Sequence, residues 1–123
     1  MSDGAGSALD PTDLARAEAA LARLAADYQI WLAADLDAMR ACQGQADGAE
    51  RLYRLAHDVK GQAATFGFAL VGTIAGRLCA LLRSERGANG RVGAHLDAMT
   101  AALALGPNGA DAGTERNLLS RLD

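Results

Sequence analysis

The chain has 123 residues, half of them hydrophobic but only 4% aromatic, and a formal net charge of −3 at pH 7. That length suits one domain with a single core, and the alanine- and leucine-rich composition favours packed helices over strands. The acidic balance argues against a nucleic-acid binder, and no run approaches the roughly 18 consecutive apolar residues of a membrane span.

Residues 1–9 are rich in Gly, Ser and Ala and lack the basic and apolar regions of a signal peptide. They are expected to be a disordered tail, with residues 10–123 forming one domain. Asp10-Pro11-Thr12-Asp13 starts a helix, with Asp10 as N-cap, Pro11 at the first helical position and Asp13 as an acid in the first turn. From there to about residue 25, Leu14, Ala17, Leu21 and Leu24 share one face. Asp27 can cap a second helix carrying Tyr28, Trp31, Leu32, Leu36 and Met39; as neither Gly nor Pro separates the two, a single kinked helix is the alternative. Trp31, the largest apolar side chain, is expected to anchor the core.

Residues 43–48 read as a loop. The next helix covers about residues 49–66, and Gly67 suits a left-handed terminator. A fourth helix to about residue 84 carries Leu70, Val71, Ile74, Leu78, Leu81 and Leu82, with Gly72 and Gly76 permitting close helix packing. Residues 85–90 are a turn. A fifth helix over about residues 91–105 shows Val92, Leu96, Met99 and Leu103 at helical spacing, and Gly106-Pro107-Asn108-Gly109 stops it. Residues 114–122 form a last short helix. The expected fold is all-α, an up-and-down antiparallel four-helix bundle centred on Trp31, His57, Ile74 and Leu96. An extra N-terminal helix packs across one end, and the short C-terminal helix closes it.

The third of these helices carries the chemistry. Leu52, Leu55, Ala56, Val59, Ala63 and Phe66 make one apolar stripe, and His57 lies about 160° from Val59, on the opposite face. Lys60, Gly61 and Ala64 stand beside it at i+3, i+4 and i+7. In a neutral imidazole one ring nitrogen holds a free lone pair and can act as a nucleophile. Lys60 is placed to neutralise the equatorial oxygens of a phosphoryl group in transit. Gly61, which costs a helix interior about 1 kcal/mol relative to alanine, leaves room with Ala64 for a partner's loops. Arg54, one turn before His57, is a candidate partner-facing residue. His95 lacks this context and reads as a helix-surface residue. Cys42 and Cys79 show no paired-ligand spacing and read as reduced helix residues, and no metal site is expected.

His57-Asp58-Val59-Lys60-Gly61, followed by Gly67 and Val71, resembles the histidine-containing phosphotransfer (HPt) signature, His-x-hydrophobic-Lys-Gly-x5-Gly-x3-hydrophobic. Ile74 and Leu78 continue its apolar spacing, and the similar layout runs from about residue 26 to 105. Cys79 departs from it, standing where many members carry a glutamate. The resemblance implies a phosphocarrier that accepts a phosphoryl group on His57 from a receiver-domain aspartate and passes it to another receiver. Lys60 would be its charge partner. Arg54, Gly61, Gln62 and Ala64 would meet the partner, Gln62 lying where the family often holds small polar residues. The implied partners are the receiver domains of response regulators and hybrid histidine kinases. The chain itself would act as a cytoplasmic monomer without a cofactor, the Mg²⁺ sitting on the receiver. Neither a glycine-rich phosphate loop nor a Walker lysine is present, so no kinase activity is expected. The alternative is a helical module that binds or sequesters a receiver without transfer chemistry.

Overall fold

A computed structural model describes residues 10–84 and 90–123; the proposed tail at 1–9 and the turn at 85–89 lie outside the described residues. Five α-helices and no strand occur among the described residues: α1 Pro11–Cys42, α2 Gly48–Gln62, α3 Ala69–Arg83, α4 Arg91–Ala104 and α5 Ala112–Ser120. The all-α expectation holds. α1 packs on α2 and α4, and α3 packs on the same two, so four helices surround one core, with α5 against α4. Leu32, Met39, Val59, Val71, Ile74, Leu78, Leu96 and Met99 fill the centre. No helix is long and apolar enough to cross a membrane among the described residues.

α1 starts where Asp10 and Pro11 place it, with Asp13 N donating to Asp10 Oδ1 at 2.8 Å. It then departs from expectation. It is one continuous helix of 32 residues, not two, and no separate N-terminal helix crosses the end of the bundle. At 1.5 Å per residue it is about 48 Å long, whereas the 15 residues of α2 span about 22 Å. The first turns of α1 therefore outrun their neighbours, and Leu14, Leu21 and Leu24 remain 47%, 66% and 52% exposed. Trp31 is a second correction. It does not anchor the core but is 67% exposed, while Ala25, Tyr28, Leu32, Leu36 and Met39 form the buried stripe. Trp31 sits about 100° round the axis from Leu32, off that stripe.

After α2, a 3₁₀ turn at Ala63–Phe66 tightens the last turn before Gly67, which takes the left-handed conformation at φ 91°. That backbone is tied to the loop after α4: Asn108 N donates to Gly67 O at 2.8 Å, and a Cβ on Gly67 would stand 3.1 Å from Pro107 Cβ. Tyr28 of α1 stacks on Phe66 with ring centroids 4.4 Å apart, which pins the 3₁₀ turn to the long helix. Asp111 caps α5, its Oδ1 accepting from Thr114 N at 2.7 Å.

His95 is a third correction. It is not on the surface but 3% exposed inside α4, and its Nδ1–H donates to Arg91 O at 2.6 Å. The backbone carbonyl satisfies the buried ring nitrogen, which is why a polar ring is tolerated there.

Candidate functional site

Val59, Ala56 and Leu52 bury one side of α2, and this turns His57 outward to an exposed position. Lys60 and Gly61 follow on exposed positions, and Ala64 continues the face in the 3₁₀ turn. Arg54 and Gln62 are exposed as well, so all six residues singled out from the sequence reach solvent. The surface at Gly61 is open: a Cβ built there meets nothing within 4 Å. Low relief continues beside the imidazole, as the glycine suggested.

Two residues that sequence reasoning did not select frame this face. Tyr53, one turn before His57 and half-buried, lies with its ring centroid 6.0 Å from the imidazole's and the planes 27° apart. The Arg83 guanidinium of α3 stands over the Tyr53 ring, 6.0 Å from its centroid, a cation–π distance. The i, i+4 spacing of Tyr53 and His57 was a readable signal. Gly76 is the second. Of the two α3 glycines, Gly72 serves helix packing, its added Cβ falling 3.5 Å from Ala63 Cβ. Gly76 instead faces the stem of Lys60: an added Cβ would lie 3.6 Å from Lys60 Cδ and 3.7 Å from Cγ. The missing side chain forms a shallow bed along which the lysine runs out to solvent.

Among the described residues Lys60 forms no ion pair. Its charge and that of Arg83 pull the buried Cys79 thiol down, but burial outweighs them and leaves its pKa raised. Cys79 is therefore held as the neutral thiol beneath the site. On the other flank of α2, Asp35 of α1 has its pKa raised by burial and by the charge of Asp58. No group of three or more His, Cys, Asp or Glu could hold a metal ion among the described residues.

What the face offers chemically is one outward imidazole, one unpaired ammonium a helical turn away, and bare backbone beside both. These positions are exposed and the space at Gly61 is open, so whatever reacts with His57 must bring its own walls. A family model described as the Hpt domain matches residues 8–106, spanning α1 to α4 and every residue of this face. No curated protein and no solved structure gives a significant match.

Proposed function

The chain belongs to the Hpt domain family, whose members are phosphocarrier modules of phosphorelays, and from that membership we propose that His57 is its phosphoacceptor. One ring nitrogen attacks the phosphorus of an aspartyl phosphate on a receiver domain. The N–P bond forms as the P–O bond breaks, the aspartate carboxylate leaves with the electron pair, and the other ring nitrogen releases its proton to solvent water. The reverse reaction, on a second receiver, hands the group on. Lys60 places its ammonium against the equatorial oxygens while the charge is spread over them. The receiver supplies the aspartate, the Mg²⁺ and the enclosing walls; this chain supplies the nucleophile and the face with Arg54, Gly61, Gln62 and Ala64. The chain works as a cytoplasmic monomer with no kinase activity of its own.

The observation that carries this reading is the outward set of His57, Lys60 and Gly61 on one helix inside the matched family region. Incubation with a phosphorylated receiver tests it. The expected result is acid-labile, base-stable label on the wild type and none on His57→Gln, with the melting temperatures of the two nearly equal because the side chain is exposed. Label retained by the variant would overturn the assignment. Tight receiver binding without label on the wild type would instead establish a sequestering module.

A further inference from the structure

Trp31 is the one tryptophan of the chain, and its indole is mostly in water although α1 is buried on both sides of it in sequence, at Tyr28 and Leu32. Contacts on two sides fix its direction round the helix. Gln29 Nε2 donates to Leu103 O at 3.0 Å, so that side of α1 faces α4. Tyr28 stacks on Phe66 in the turn that continues α2, and Asp35 feels the charge of Asp58, so the side of α1 that these two share faces α2. Trp31 is four residues before Asp35 and therefore on the α2 side, one helical turn along. Because α2 returns along α1 after the short connection at residues 43–47, that turn brings Trp31 to the level of Gln62, past the level of Asp58.

Trp31 thus borders the flank of the His57 face. With packed helix axes about 8–10 Å apart and an offset of about one turn, its backbone lies roughly 10–15 Å from that of His57. A specific interface covers about 800 Å² on each partner, a patch wide enough to take in both. Gly61 and Ala64 leave no bulk on the α2 face itself, so the indole is the largest apolar side chain at the edge of the patch. Tryptophan is enriched among the residues that dominate binding, and a patch centred between His57 and Trp31 would cover the indole fully.

We propose that Trp31 is the affinity anchor for the receiver domain that exchanges its phosphoryl group with His57, an apolar contact separate from the transfer chemistry. This rests on the proposed function above. The partner it fits is a folded domain with an apolar recess beside its phosphorylated aspartate. Because the contact is made equally in the docked complex and in the transition state, losing it raises the half-saturating receiver concentration and leaves the maximal rate alone.

The test uses a receiver domain that labels His57. Binding should shift Trp31 emission to shorter wavelength, and the shift should be absent from Trp31→Phe, whose emission on binding reports any contribution from tryptophans of the receiver. Trp31→Ala should raise the half-saturating receiver concentration roughly tenfold or more. Its maximal transfer rate, its melting temperature and its labelling of His57 by the small donor phosphoramidate should stay at wild-type values. An unchanged half-saturating concentration, or emission that does not move on binding, would overturn the anchor role while leaving His57 as acceptor. If neither phosphoramidate nor any receiver of the source organism labels His57, the proposed function fails, and the inference with it.

Discussion

Lys60 reaches the outer face over a position where α3 carries no side chain, which makes its placement depend on a residue of another helix. Lys60→Ala should slow phosphoryl transfer by roughly 10- to 100-fold, equivalent to about 1.4–2.7 kcal/mol, and Lys60→Arg should recover part of it. Gly76→Ala should be tolerated, since its Cβ would make only ordinary contacts. Gly76→Leu should push the lysine stem aside and slow transfer in the same direction. Rapid-quench transfer measurements decide this: equal rates for Lys60→Ala and wild type would reduce the lysine to a surface charge. His95 illustrates what residue-level reading misses. Its sequence neighbours, Leu96 and Asp97, give no sign that the ring faces the core. Burial lowers its pKa in the fold, ahead of the opposing hydrogen bond to Arg91 O. The unfolded chain therefore binds a proton that the folded one refuses, so stability is full above about pH 6.5, the unfolded value, and declines as the pH falls below it. Thermal melts from pH 7.5 to 5 should show a steeper loss for the wild type than for His95→Leu. Parallel pH profiles would show that His95 carries no such linkage.

Among the elements, α2 was the most legible. Its apolar stripe, the outward histidine and the Gly67 terminator all stand where the 3.6-residue period puts them, because each depends on the helix alone. Gly61 gives the sharpest prediction at this scale. With nothing within 4 Å of an added Cβ, Gly61→Ala should stabilise the chain by up to about 1 kcal/mol. Gly61→Gln should fold equally well yet transfer more slowly, because its side chain projects where a receiver must settle. Loss of the fold in Gly61→Gln would mean that the position is packed, and a full transfer rate would mean that the partner approaches from elsewhere. α1 was less legible. Trp31 and Leu32 are adjacent apolar residues that both fit a broad stripe, and only the positions of α2 and α4 decide which of them is buried. Likewise Leu14, Leu21 and Leu24 have the spacing of a buried face, but α2 ends before it reaches them. Periodicity reports the face a helix could bury; the length of its neighbours decides whether it does.

For the molecule as a whole, the helical class and the ends of most helices follow from capping residues, glycine terminators and loop lengths, all local signals. The inward turn of His95 follows from packing between distant segments, which no local signal records, whereas the continuity of α1 is left open by the sequence, with neither Gly nor Pro to interrupt it. Function divides along the same line. The proposed acceptor His57, its proposed charge partner Lys60 and the open Gly61 lie within five residues of one helix, so the sequence displays them together. Tyr53 beside the imidazole shares its helix, but Arg83 at the Tyr53 ring, Gly76 under Lys60 and Trp31 on α1 belong to other helices and are brought to α2 only by the fold. The most direct measurement is site-resolved mass spectrometry of the chain after incubation with phosphorylated receiver domains of the source organism. One phosphoryl group should be found, on His57 and not on the buried His95, and it should disappear when an unphosphorylated second receiver is added. A phosphoryl group on any other residue, or a wild-type chain that no receiver labels, would contradict the assignment of His57 as a phosphocarrier's acceptor.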